Sequence, residues 1–433
     1  MTGHAFLKRL AVMESFDESS ELFRKTSLGL HAVQLYESVR NGAFEDPEDA
    51  APLHDFARLF ALEATDANTR DDVWIALQAV AGTLPFWGTR QTWNVAREAV
   101  YAALLQYATA LSNNDEWELA VEILLIVAVD AEVDCENVWA AQAHLLLGFG
   151  YRTLADWVNS ALSYRQAYTL AHEAGVFSVA LRACIGEANS KRTKGDLPGA
   201  SKQLAETLRR AHATCPEIVP RVVLAQAGVA NAGGRFEQAI TLAYRALELV
   251  GHDRDAQYPI LVDIAQFFAD YGLPDVARDA LQLVADTAPE SLVRVQALTN
   301  LLYLSAHQEN VPAFESARDR LSQENLRPRQ ETLNHLFQAQ GYLRFGRVLA
   351  AREAARRAAS LARQHGFHQY AFQAEEEIAK IEAASAGQRD GGHIPAQPYS
   401  RAHPISRRVT QIAGLVRDRV AVERGRVPAA AGF

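Results

Sequence analysis

Side chains capable of chemistry are spread along this sequence, but none falls into a spacing that a familiar reaction needs. Zinc-dependent hydrolysis asks for two histidines a helical turn apart with a glutamate beside the first. Phosphoryl transfer asks for a glycine-rich loop ending in lysine, and acyl transfer for a serine on a sharp glycine-flanked turn. HExxH, GxxxxGKS/T and GxSxG are all missing, as is a GxGxxG following a strand. Of the thirteen histidines, His365 and His368 form the one near pair outside the tail, and two histidines three apart at a helix boundary read as surface or packing residues, not metal ligands. Cys135, Cys184 and Cys215 are too far apart for a Cys-x-x-Cys motif and odd in number, so they are expected as reduced, buried, small apolar side chains. No catalytic residue, metal or cofactor is expected. An enzyme assembled from distant helices leaves no local signature and stands as the alternative. The chemistry that remains is recognition, in which polar groups are held in register by a scaffold.

The scaffold is legible in composition and period. Of the 433 residues, 49% are hydrophobic and 22% charged, enough apolar material for a long core and too much for a disordered chain. Alanine runs such as AAREAARRAASLA favour helix, because alanine and straight-chain charged residues lose little on helix formation. The first residues lack a secretory pattern, and the most apolar segment, 119–129, contains Glu122 and is far short of a bilayer span, so a cytoplasmic protein is expected. A net charge of −9 argues against a general nucleic-acid binder.

Seven short strings recur: DEWELA from Asp115, DWVNSA from Asp156, GDLPGA from Gly195, GRFEQA from Gly234, GLPDVA from Gly272, NVPAFE from Asn310 and GRVLAA from Gly346, at spacings of 41, 39, 39, 38, 38 and 36 residues. Each opens with a residue that tolerates a left-handed turn or bonds its own backbone, several carry proline where a following helix would start, and the sixth place is mostly small. Apolar residues recur at helical spacing on both sides, so each unit is a helical hairpin.

The segment GRFEQAITLAYRALEL, with Gly234, Phe236, Ala239, Ala243 and Ala246 at matching places, resembles the second helix of the tetratricopeptide repeat family. The period here exceeds that family's roughly 34 residues, which implies longer helices or loops. The resemblance implies an all-α fold, a right-handed α-solenoid of about seven hairpins over 90–384, whose concave face is made mostly by the first helix of each pair. Counting back from each turn puts Arg182, Asn189 and Arg192, then Arg221 and Asn231, then Gln266 and Asn300 on or near that face. Amides offer both donors and acceptors to an extended peptide backbone, and arginines suit carboxylates. The alternative is an ordinary solvated surface.

Residues 1–89 read as an irregular helical module, with helices over 19–40, 53–63 and 71–81 and a break at 84–89; Trp74, Trp87 and Trp93 gather at its end, either as core or as an anchor for a partner. Residues 385–404, rich in glycine and proline, read as a flexible linker. Over 405–433 a basic amphipathic helix is expected, with Ile405, Val409, Ile412, Leu415 or Val416, and Val420 on one side. From Gly387 onward eight arginines face three acids, and Arg407, Arg408, Arg417 and Arg419 are the residues expected to meet a partner. Such a helix can dock on an acidic protein surface, including its own array; disorder, anionic lipid and nucleic acid are the alternatives.

The expected function is that of a cytoplasmic adaptor or scaffold holding a peptide or partner helix on its concave face, with no chemistry. A peptide-responsive signalling or transcriptional regulator, and a self-assembling structural protein using its C-terminal helix, are the alternatives. The first 89 residues show no helix-turn-helix with a basic recognition helix.

Overall fold

The computed structural model describes residues 4–13, 21–41, 72–83, 90–289, 291–365, 367–387 and 407–426. Among them there are nineteen α-helices, one short 3-10 turn and no strand. The helices expected over 19–40 and 71–81 run Glu21–Asn41 and Asp72–Thr83. The expected helix at 53–63, the break at 84–89 with Trp87, and most of the linker lie outside the described residues.

Two compact units divide the chain, Met1–Ile218 and Val219–Phe433. The first holds α1 (His4–Met13), α2 (Glu21–Asn41) and α3 (Asp72–Thr83), followed by three hairpins: α4 (Arg90–Asn113) with α5 (Trp117–Val133), α6 (Asn137–Thr153) with α7 (Trp157–Glu173), and α8 (Phe177–Thr193) with α9 (Leu197–Thr214). The second holds four: α10 (Val219–Ala232) with α11 (Phe236–Leu249), α12 (Arg254–Tyr271) with α13 (Pro274–Thr287), α14 (Ser291–His307) with α15 (Val311–Leu321), and α16 (Pro328–Arg344) with α17 (Val348–Gln364). Two further helices, α18 (His368–Gly387) and α19 (Arg407–Arg426), complete it.

Every turn inside a hairpin uses one device. An N–H just past the turn reaches five residues back to a carbonyl near the helix end: Glu116 to Leu111 at 3.0 Å, Asp156 to Tyr151 at 2.8 Å, Asp196 to Lys191 at 2.9 Å and Leu273 to Phe268 at 2.8 Å, for example. This closes the orphan carbonyls but forces one residue into the left-handed region. Those residues are Asp115, Ala155, Gly195, Gly234, Gly272, Glu309 and Gly346. Two of the strings are thereby corrected by one residue. Asp156 and Asn310 are not the turn residues but the N-caps after them, their side chains accepting from the N–H groups of Asn159 and Ala313 at 3.1 Å. In the corrected register the repeats start at 115, 155, 195, 234, 272, 309 and 346.

That register also re-reads the sixth place. It is Ala120, Ser160, Ala200, Ala239, Ala277, Phe314 and Ala351, all essentially excluded from solvent. Small residues let neighbouring helices close in. The exception, Phe314, is accommodated because the next helix carries Gly341, where a Cβ would stand 2.3 Å from the phenyl ring. Burying such a ring contributes roughly 1.5–3 kcal/mol.

One expectation about the cysteines is overturned. Cys184 is half-buried and Cys215 buried, but Cys135 is exposed, because it occupies the left-handed position (φ 59°) between α5 and α6. Trp74 and Trp93 are core residues, Trp93 meeting Tyr36 and Tyr101 edge-on at 5.9 and 6.1 Å.

Candidate functional site

The corrected register lines up polar side chains that the sequence spacing left scattered. Two places before the left-handed residue stand Asp270 on α12, His307 on α14 and Arg344 on α16. Six places before it stand Gln266 and Tyr303; nine places before it, Asn300 and Phe337. Offsets of two, six and nine trace one stripe of a helix, so three successive first helices present the same face with different chemistry.

The geometry ties these residues together. Asp270 accepts from the amides of Asn231 and Gln266, both at 2.8 Å, bridging α10 and α12. Gln266, Asn300 and Tyr303 share the lining of one small cavity. The Tyr303 ring lies 5.0 Å from Phe337 and 4.0 Å from His307, whose Nδ1 is 2.9 Å from the Tyr303 carbonyl. Burial pushes the His307 imidazole below its ordinary value; the bond to the Tyr303 carbonyl opposes this and the Arg344 charge adds to it. Burial likewise raises the Tyr303 phenol, with Arg344 opposing and Asp270 adding. His307 is therefore neutral at pH 7, and Arg344 is the cation of the row, with no acid in ion-pair distance among the described residues. One acceptor is also left over. The Oδ1 of Asn231 is buried and has no hydrogen-bond partner among the described residues, a state that costs about 1–3 kcal/mol unless a donor arrives.

Of the residues expected on this face, Gln266 and Asn300 fall in the row, and Asn231, three places before its own left-handed residue, is tied to it through Asp270. Arg221 does not join them. It is exposed at the opposite end of α10, ten residues and roughly 15 Å from Asn231. Arg182, Asn189 and Arg192 belong to α8 in the other unit, Arg182 exposed and the other two half-buried. Asp270, Tyr303, His307, Phe337 and Arg344 are additions, and Tyr303 and His307 fall into the row only once Glu309 replaces Asn310 as the turn residue.

The tail arginines meet the chain itself. Helix α19 packs on α11 and α13, burying Val409, Ile412, Ala413, Val416 and Val420, while Leu415 is 40% exposed. Arg417 pairs with Asp279 at 3.2 Å and Arg419 donates to the Gly251 carbonyl at 2.8 Å. Arg407 and Arg408 are exposed. His365 stacks on Phe367 at 5.7 Å, and no cluster of three or more metal-ligating side chains occurs among the described residues. No described helix is long and apolar enough to cross a membrane.

Seven hairpins closed by the same left-handed turn, with a small residue at the sixth place in all but one, decide the fold. The array is tetratricopeptide-like. No family model and no curated protein matches the sequence. Among solved structures, it is similar to a Rap protein complexed with competence and sporulation factor, at 12% identity over 84% of this chain and 100% of that one, with a TM-score of 0.47. It is similar as well to the Rap conjugation gene regulator of plasmid pLS20 in complex with the Phr* peptide, at 12% identity over 82% and 96% and a TM-score of 0.46. BtubC from P. vanneervenii matches at 17% identity over 59% and 98%, with a TM-score of 0.35.

Proposed function

We propose that this tetratricopeptide-like chain is a cytoplasmic binding module without chemistry, whose second unit holds a short peptide segment across the first helices α10, α12, α14 and α16. The observation that carries this reading is the row at offsets two, six and nine. It runs from a carboxylate at Asp270, through the amide of Asn300 and the aromatic pair Tyr303 and Phe337, to an unpaired guanidinium at Arg344. Helices of a solenoid lie side by side at about 10 Å, so three such helices span the length of about six extended residues. A peptide with a basic residue at the Asp270 end, an apolar one over Tyr303 and an acidic group at Arg344 complements the row. Its backbone N–H would satisfy Asn231 Oδ1.

Selection of peptides from a random displayed library on the full chain tests this. Enriched sequences are expected to carry opposite charges a few residues apart, and their affinity to fall at least about five-fold in Asn231→Ala. Exchanging the charges in Asp270→Lys with Arg344→Glu is expected to reverse the selected polarity. A library that enriches nothing, or peptides that bind both charge arrangements equally, would sink the proposal.

A further inference from the structure

Unit 2 carries a second feature, lined by residues that the row does not use. Where the start of α19 passes the start of α11, a cavity of about 740 Å³ opens, within the range of about 300–1,000 Å³ usual for small-molecule sites. Phe236, Leu242 and Tyr271 supply apolar wall, and Arg235 and Arg408 bring guanidinium groups from two different elements. Arg235 spends its Nε on Gln238 Oε1 at 2.9 Å. Its terminal nitrogens, and the whole Arg408 guanidinium, have no acid within ion-pair distance among the described residues, although Glu237 lines the same cavity. The other two arginines of α19 behave differently, Arg417 and Arg419 both finding partners on the array. Two cations without an ion-pair partner among the described residues, against one acid, Glu237, around an apolar wall, are what an anion with a ring attached would use.

We infer that this cavity is a binding site for a small aromatic anion, a ring-bearing phosphate or carboxylate, its ring against Phe236 and Tyr271 and its charge between Arg235 and Arg408. The site is complete only while α19 is docked, since Arg408 comes from that helix. Binding therefore ties the chain's last helix to α11, and the ligand stabilises the docked state in proportion to its affinity.

Calorimetric titration of the full chain with four probes tests the inference: phenyl phosphate and benzoate carry both parts, inorganic phosphate the charge alone, phenol the ring alone. One of the ring-bearing anions is expected to bind saturably at one per chain, the tighter of the two naming the head group, with phosphate and phenol at least about ten-fold weaker. Arg235→Ala and Arg408→Ala are each expected to weaken it about ten-fold or more. Val416→Asp, which releases α19 without touching the cavity wall on α11, is expected to abolish it while circular dichroism shows the hairpins intact. Absence of saturable binding by both ring-bearing probes, binding that survives both arginine substitutions, or inorganic phosphate binding as tightly as phenyl phosphate would overturn the inference.

Discussion

The two ends of the chain are fastened by different means. At the N-terminus an apolar core that takes in Phe6, Leu35, Tyr36 and Trp74 is pinned by partly buried polar bonds. Glu122 accepts from the free N–H groups of His4 and Ala5 at 2.7 and 2.9 Å, capping α1 from across the sequence, and Arg9 pairs with Glu116 at 3.0 Å. The end of α2 is held by one carboxylate oxygen of Asp134, which accepts from Arg40, Trp93 and Tyr101 at 2.9, 2.9 and 2.7 Å, while the Tyr36 hydroxyl donates to Asp130 at 2.6 Å. At the C-terminus the attachment is an aliphatic seam with two exposed arginine contacts. A polar attachment is specific and intolerant of losing any partner; an apolar one is tolerant and reversible. The N-terminal helices thus belong to the body of unit 1, whereas α19 is a helix laid on a finished surface.

Four measurements bear on that contrast. The largest effect is expected from Asp134→Ala, which strands three donors in a half-buried site. A loss of about 3 kcal/mol should register in urea unfolding, with amide protection lost along α2. Val416→Asp should cost somewhat less, about 2 kcal/mol, and strip protection from α19 alone. If it also loosened α2, the two attachments would not be independent.

Acid should separate them without mutation. Burial acts to raise the Asp134 carboxyl, but the hydrogen bonds from Tyr101, Arg40 and Trp93 and the Arg40 charge prevail, so it titrates below its ordinary 3.8. A depressed carboxyl contributes stability above its unfolded value and loses it as pH falls through the folded one. Hydrogen exchange on lowering the pH below about 3.8 should therefore open the end of α2 before the aliphatic seam of α19. Glu116 moves the other way, burial raising it despite Arg9, so α1 should not follow α2. The smallest effect is expected from Arg417→Ala. The pair with Asp279 is half-exposed, worth less than about 1 kcal/mol, and its loss should vanish at high salt. An effect that persisted in molar salt would mean that α19 depends on charge more than its seam suggests.

Much of this architecture is legible in the sequence, for reasons that also explain what is not. Glycine at 195, 234, 272 and 346 announces a left-handed turn because other residues resist it. Ala155 and Glu309 occupy the same conformation without announcing it, each against a cost of roughly 1 kcal/mol, so the more conspicuous Asp156 and Asn310 stood in for them. That single-residue slip hid the alignment of Asp270, His307 and Arg344, since a face of a helix is legible only in the right phase. It also concealed Phe314 at a place otherwise kept small. The seam of α19 was evident from its three-to-four spacing, with Val416 rather than Leu415 turned inward; what the seam would lie on was not, because the outer faces of α11 and α13 give no local sign of being covered. The exposure of Cys135 is not legible in the sequence, because composition says where cysteines usually sit, not which one falls at a turn.

Counting from the left-handed residue, Glu122 and Asp279 hold the same eighth place in their hairpins, and each receives a terminal helix, one by backbone N–H groups and the other by Arg417. In the remaining hairpins that place is Leu162, Lys202, Thr241, Ser316 and Glu353. A repeat offers the same berth many times over, and identical berths would leave an end helix free to moor at any of them. Here the aliphatic seam, not the residue at the eighth place, decides where α19 lies, and the Asp279 pair only adds to it; at Glu122 the eighth place itself holds the start of α1.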